Sequence, residues 1–244
     1  MRRMLAATAL TLAAAMPATA EDFTEAEIKQ LALQAIIENP QIVMDAVAIL
    51  QERDAAAAEA SARAALDDKR DLLEADPNAP VLGNPEGDVT LVEFFDYNCP
   101  YCRRAGDEVK ALLAADPNVR VVYREWPILG EESAFAARAA LAAREQGKYG
   151  EMHEALMGAQ ARVDEASVME IAAGIDLDID RLRADMDAPE VQAHIDDTMA
   201  LAQSLGFNGT PSFVIADQIA PGMVTADEMA RMVDPARQEA AGQN

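Results

Sequence analysis

The strand–helix–strand succession over residues 89–125 constrains the fold of this chain more than any other feature. Residues 89–95 and 119–125 are rich in β-branched and aromatic side chains, which favour strands. Between them, a Cys-Pro-Tyr-Cys motif at residues 99–102 begins a segment that we predict to be helical through Ala115. A strand, a helix and a strand in this order predict a parallel, right-handed βαβ unit and therefore an α/β fold.

The motif holds the only two cysteines in the chain, Cys99 and Cys102. A disulfide between them would close a tiny loop and restrain little chain entropy, so the pair suits reactivity better than structural bridging. The free amides and the dipole of a helix N-terminus favour a thiolate at Cys99, and a thiolate is the nucleophile of disulfide exchange. Cys102, one turn later, can attack a mixed disulfide on Cys99 and release the substrate.

Other uses of the cysteine pair remain open at this point. One is a structural disulfide, and another is half of a zinc site. Zinc needs four ligands, but only His153 and His194 remain, on distant segments that we predict to be helical. Two thiolates could also hold Cu(I). We predict no metal site and a packing role for the two histidines.

The N-terminus has the features of a signal peptide. Arg2 and Arg3 precede an apolar run over residues 4–16, and small residues follow Pro17. We therefore expect residues 1–20 to be removed and the protein to be exported to an oxidising compartment, the periplasm. An uncleaved anchor is the alternative.

The charge of the chain excludes one class of partner. The chain carries 20 basic and 43 acidic residues, a formal net charge of −23. Nucleic acids and anionic membranes attract basic patches, so we predict that the chain binds neither.

Residues 21–76 are predicted to form an N-terminal helical segment for oligomerisation. A capping box at residues 24–27 begins one helix, and Asn39-Pro40 separates it from a second. The apolar residues of the hairpin at 22–50 need a covering surface, whereas residues 54–71 are mostly alanine and charged, which makes a helical rod with a poor core. Self-association is the favoured interpretation; folding back onto the catalytic domain is the alternative.

Turn-forming residues at 76–80 and 83–88 separate this segment from the rest of the chain. We predict a catalytic domain from residues 77–132 and 206–237, with strands at 212–216 and 219–220 and a last helix at 225–233. The inserted residues, 133–205, are predicted to be wholly helical, and residues 238–244 to form a disordered tail.

The sequence from Glu93 to Cys102 (EFFDYNCPYC) resembles the start of the thioredoxin-fold region in DsbA-like thiol–disulfide oxidoreductases. Residues 209–215 (GTPSFVI) resemble the cis-proline loop of that family, and the helical stretch between matches its inserted helical domain. The resemblance covers residues 81–237. It implies a thioredoxin fold with an inserted helical domain, to which this chain adds its N-terminal helical segment.

The resemblance also implies roles for individual residues. Cys99 would be the attacking cysteine and Cys102 the resolving one, and their redox-active disulfide would be the only cofactor. Pro211 would be the cis-proline packed against the disulfide, and Thr210 would offer its backbone to an extended client. Glu93 matches a buried acid that relays a proton for Cys102; the alternative is a strand-edge residue facing water.

Other features favour isomerisation over oxidation. Tyr101 replaces the histidine of the strongest oxidases in the family, and it lies with Pro100 between the cysteines, where both tune the redox poise and face the client. Thr210 before the proline resembles the bacterial disulfide isomerases more than the monomeric oxidases. The N-terminal helices resemble those of ScsC-type (suppressor of copper sensitivity) proteins, some of which are trimeric isomerases.

The predicted function is therefore that of a homo-oligomeric disulfide isomerase, with a trimer as the candidate assembly. Its clients would be exported proteins with cysteines, and a membrane redox partner would recycle its active site. The alternatives are a DsbA-like oxidase or reductase, and a copper-binding or chaperone module.

Overall fold

The computed structural model describes residues 23–242, so the predicted signal peptide at 1–20 lies outside the described residues. The chain divides into two compact units between Asp54 and Ala55. Within the described range, no single helix has the length and apolar character to cross a bilayer, and one pair of helices, joined at a 93° bend, passes that test only when taken together.

Helices α1 (Glu25–Glu38) and α2 (Gln41–Glu74) form the N-terminal part of the chain. The predicted capping box is present, because the amide of Glu27 donates to Thr24 Oγ1 at 3.3 Å and the amide of Thr24 donates to Glu27 Oε2 at 2.9 Å. All the side chains between residues 23 and 54 are exposed, including the apolar ones. Within residues 23–54, the two helices therefore build no buried core.

A five-stranded sheet lies at the centre of the second unit, in the order β1-β3-β2-β4-β5. The strands are β1 (Val81–Gly83), β2 (Val89–Phe95), β3 (Val119–Glu125), β4 (Ser212–Ile215) and β5 (Gln218–Pro221). Strands β2 and β3 are parallel and joined through α3 (Pro100–Ala115), which confirms the predicted βαβ unit. The other pairings are antiparallel, and β1 has no counterpart in the sequence-based prediction.

Five helices lie between β3 and β4, where the helical insertion was predicted. They are α4 (Glu131–Ala142), α5 (Tyr149–Met157), α6 (Glu165–Gly174), α7 (Ile179–Asp185) and α8 (Pro189–Ser204). A last helix, α9 (Ala226–Gly242), continues into the segment 238–244 that we predicted to be a disordered tail. Residues 243–244 lie outside the described residues.

The sheet is covered on both faces, because alternate residues of a strand point to opposite sides. On β2, Leu91 and Phe95 belong to a core shared with α3, α5 and α9. Val92 and Phe94 belong to a second core, which includes Leu201 of α8 and the end of α2. The site described below lies at the C-terminal end of β2, on the first of these faces.

The end of α2 differs from the predicted helical rod with a poor core. Leu66 and Leu73, seven residues apart on one face of the helix, are fully buried against the sheet. The guanidinium of Arg124, itself fully buried, donates to the carbonyl of Leu72 and to Asp76 Oδ2. The compact unit that contains the sheet includes the residues from Ala55 onward, so the end of α2 belongs to it.

Candidate active site

The cysteine pair lies where β2 gives way to α3. Cys99 is the N-cap residue of α3 and Pro100 is its first residue, so the sulfur of Cys99 stands beside free backbone amides. Cys99 is 5% exposed and Cys102 is completely buried. The two residues are in the dithiol form.

The two thiols have opposite acid–base properties. The pKa of Cys99 is lowered to about 5, chiefly by a hydrogen bond from the thiol of Cys102, with burial opposing and the amides of Tyr101 and Cys102 assisting. Burial raises the pKa of Cys102 far above its usual range, and the hydrogen bond to Cys99 raises it further. At neutral pH the pair therefore consists of a nucleophilic thiolate and a neutral thiol.

Glu93 is fully buried, which excludes the alternative of a strand-edge residue facing water. It lies on β2 between Tyr123 of β3 and Phe213 of β4, and its carboxyl oxygens have no hydrogen-bond partner among the described residues. Burial raises the pKa of Glu93 to about 8. Its charge is felt by Cys102, whose pKa it raises, so the two groups are electrostatically coupled.

The loop before β4 faces the cysteines. The Thr210–Pro211 peptide bond is cis, as the resemblance implies. The carbonyl oxygen of Thr210 is 3.3 Å from the sulfur of Cys99. The loop is held by a hydrogen bond from the amide of Gly222 to the carbonyl of Pro211, at 2.9 Å. The structure thus brings residues 210–211 and the cysteine pair together, although they are more than a hundred positions apart in sequence.

The two residues between the cysteines face outward. Pro100 and Tyr101 are both exposed, and the guanidinium of Arg104 lies 5.9 Å from the centre of the Tyr101 ring. The side chain of Tyr101 is therefore available to a molecule that approaches Cys99.

The sequence-based prediction overlooked the residues just before Cys99. Asp96 and Asn98 are buried polar residues whose side chains bond the surrounding backbone. The hydroxyl of Tyr97 is 3.2 Å from Nδ1 of His153. Two short polar residues, Asp96 and Asn98, directly before a helix are a weak signal that could have drawn attention to this loop.

Both histidines are buried, in agreement with their predicted packing role. Burial lowers the pKa of His153 to about 4, so it is neutral at pH 7. Nε2 of His194 lies 2.7 Å from Oε2 of the buried Glu125. Across residues 23–242, no group of three or more His, Cys, Asp or Glu side chains is arranged to hold a metal ion.

The family model for the DSBA-like thioredoxin domain matches residues 90–234. A thioredoxin-like oxidoreductase from Silicibacter pomeroyi DSS-3 is 65% identical, covers 69% of this chain and 98% of its own, and superposes with a TM-score of 0.69. ScsC from Proteus mirabilis, in a transitional conformation, is 28% identical. The match covers 88% of this chain and 97% of that protein, with a TM-score of 0.67. A periplasmic thioredoxin-like protein from Salmonella enterica serovar Typhimurium is 27% identical. The match covers 69% of this chain and 95% of that protein, with a TM-score of 0.62.

Curated relatives of a different kind share the same region. A Na(+)/H(+) antiporter NhaA 3 from Salinispora tropica is 35% identical over 147 residues, which are 59% of this chain and 22% of the antiporter. The chain therefore spans less than a quarter of the length of that relative.

Proposed function

Because the chain belongs to the family of DSBA-like thioredoxin domains and is a thiol–disulfide oxidoreductase of the DsbA/ScsC type, we propose that it is a periplasmic protein disulfide isomerase. The observation that carries this proposal is the contrast between the two thiols: a thiolate at Cys99 beside a buried, neutral Cys102. Its substrates would be exported proteins with incorrectly paired cysteines.

In the first step, the thiolate of Cys99 attacks one sulfur of a client disulfide. A bond forms between Cys99 and that sulfur, the client disulfide breaks, and the second client sulfur leaves as a thiolate. Thr210 would align the client by offering its backbone to an extended segment, with Pro211, Pro100 and Tyr101 forming the adjoining surface.

The mixed disulfide can be resolved in two ways. In isomerisation, a client thiolate attacks the client sulfur bound to Cys99, forms a new client disulfide and regenerates the Cys99 thiolate, with no net oxidation. In reduction, Cys102 attacks the sulfur of Cys99, the client leaves reduced, and a Cys99–Cys102 disulfide remains. A membrane redox partner would then return the pair to the dithiol form.

Glu93 would serve the second route as a positioned proton acceptor. Cys102 must lose its proton before it attacks, and a carboxyl group with a pKa of about 8 exchanges protons near neutral pH. The electrostatic coupling between Glu93 and Cys102 supports this assignment.

The N-terminal segment would bring several active sites to one client. The apolar side chains on residues 23–54 are exposed, which supports self-association, and a trimer is the form we propose. Linked active sites raise the effective concentration of the next thiolate around a bound client.

The two cysteine-to-serine variants test the function. Cys99→Ser should abolish the refolding of scrambled ribonuclease, whereas Cys102→Ser should retain measurable isomerisation because that route needs only Cys99. Cys102→Ser should lose the ability to oxidise reduced ribonuclease. Undiminished refolding by Cys99→Ser would refute the proposal, and loss of both activities in Cys102→Ser would identify an oxidase instead.

A further inference from the structure

The side chain of Asn98, directly before Cys99, is bonded to the inserted helical domain. Its Oδ1 accepts from the amide of Val163 at 2.8 Å, and its Nδ2 donates to the carbonyl of the same residue at 3.1 Å. A third bond, at 3.3 Å, runs from Nδ2 to the hydroxyl of Ser133. An amide side chain offers a donor and an acceptor at one end, which is what pairing with a single backbone residue requires.

The backbone of Asn98 is fixed from the other side by Asp96. The amide of Asn98 donates to Asp96 Oδ1 at 2.7 Å, and the amide of Cys99 donates to the carbonyl of Asp96 at 3.0 Å. The remaining carboxyl oxygen of Asp96 accepts from the amide of Leu129 at 2.9 Å. The loop is thus held at both its side chains and its backbone immediately before the reactive cysteine.

We infer that Asn98 is a positioning residue that holds the sulfur of Cys99 over the first turn of α3 by tying its loop to Val163. The inference rests on the proposed role of Cys99 as the attacking cysteine. The interaction between a charge and a helix terminus falls off within the first turn, so a small displacement of Cys99 would weaken its thiolate. The inserted domain would therefore contribute to the reactivity of a residue that it does not contain.

The test is a pH titration of the thiolate ultraviolet absorbance in the reduced, full-length protein. Asn98→Ala should raise the midpoint of Cys99 by about one pH unit, because the thiolate loses part of its stabilisation. The equilibrium with glutathione should shift about tenfold towards the protein disulfide, since one pKa unit corresponds to a factor of ten. Asn98→Ser, which keeps one hydrogen-bonding group, should lie between Asn98→Ala and the unchanged protein.

Asn78→Ala is the matched control. Nδ2 of Asn78 also bonds the inserted helical domain, through the carbonyl of Glu190 at 2.7 Å, but Asn78 lies between α2 and β1. This variant loses an asparagine contact to the same domain and should leave the Cys99 midpoint unchanged. An unchanged midpoint in the Asn98 variants, or an equal shift in Asn78→Ala, would overturn the inference. If Asn98→Ala does not fold, Asn98→Ser decides the question by the same criterion. The titration needs no client, so its outcome is independent of whether the protein is an isomerase.

Discussion

Two sulfur atoms one helical turn apart differ in reactivity because of where each one lies. Cys99 caps α3, where backbone amides and the thiol of Cys102 stabilise its negative charge. Cys102 is inside the first turn and beneath the surface, where burial disfavours the same charge. Local sequence is enough to place both residues, because a proline-containing motif at a strand–helix junction specifies the cap.

The raised pKa of Glu93 leads to a prediction about stability. Between pH 4.5, the ordinary pKa, and about 8, the unfolded chain releases this proton while the folded chain keeps it. The free energy of unfolding should therefore fall with rising pH in that interval, by up to about 1.4 kcal/mol per pH unit from this group. Glu93→Gln should remove this contribution. Urea denaturation of the disulfide form across this range measures it without interference from the thiols.

Glu52→Gln provides the control for that comparison, since Glu52 is an exposed carboxylate on α2. The free energy of unfolding of the Glu52→Gln variant should depend on pH in the same way as that of the unchanged protein. Parallel curves for Glu93→Gln and the unchanged protein would contradict the assignment of a raised pKa to Glu93.

Some residues of the candidate site could be predicted from the sequence and others could not. Cys99, Cys102 and Pro211 lie in short motifs that carry their own local signal. Asn98 depends on contacts with Val163, 65 positions away, and no local pattern specifies such a partner. The burial of Glu93 was suggested by its apolar neighbours, but its lack of a bonding partner emerges only from the packed sheet.

Among the elements of the fold, the end of α2 is held to the sheet by buried arginine contacts as well as by its leucines. Nη1 of Arg124 lies 2.7 Å from Oδ2 of Asp76, and both side chains are buried. A second arginine, Arg120, donates to the carbonyl of Glu74 at 2.6 Å. These donors occupy carbonyl groups at the helix C-terminus that would otherwise lack partners.

Asp76→Asn should destabilise the protein by about 3 kcal/mol, because it leaves the charge of Arg124 buried without a counterion. Chemical denaturation measures this loss. Glu132→Gln is the matched control: it breaks the Glu132–Arg162 pair, which has a 3.0 Å contact and half-exposed side chains. That substitution should cost much less than Asp76→Asn, because solvent screens the exposed pair. An equal loss of unfolding free energy in the two variants would show that burial does not make the Arg124–Asp76 pair more important for stability than an exposed pair.

The regular elements were easier to predict than the irregular ones. Strands β2 and β3 span the residues that their β-branched and aromatic composition indicates. Strand β1 has only three residues, ends at Gly83 with φ 76°, and exists because it pairs with β3. The docking of α2 was missed because two leucines in an alanine-rich helix give a weak amphipathic pattern.

At the scale of the whole molecule, the exposed large apolar side chains of the described residues are concentrated between Phe23 and Leu50. Ile37 of α1 is 69% exposed, and Leu33, one turn earlier on the same helix, is 58% exposed. Exposed apolar surface of this extent is typical of a protein–protein interface, and it supports the proposed association with further copies of the same chain.

Leu33→Glu combined with Ile37→Glu should convert the proposed oligomer into a monomer, because carboxylates would be buried in the interface. Light scattering on residues 21–244 gives the mass. Isomerase activity should fall, whereas the titration of Cys99 should not change. Met199→Glu is the control, since Met199 is an exposed apolar residue of α8 outside this segment. A monomeric unsubstituted protein would refute the proposed association.

Under the proposed function, the complete burial of Cys102 would also set a time limit on each encounter with a client. A reagent from solution can reach Cys99 but not Cys102, so every client should enter through one sulfur. Release of the client by attack of Cys102 on Cys99 would have to wait until Cys102 loses its proton, and its buried site disfavours the resulting thiolate. A client that rearranges within this delay would leave with a new disulfide, and a slower one would leave reduced. The depth of one thiol would thus determine how long a misfolded client has to find its native pairing.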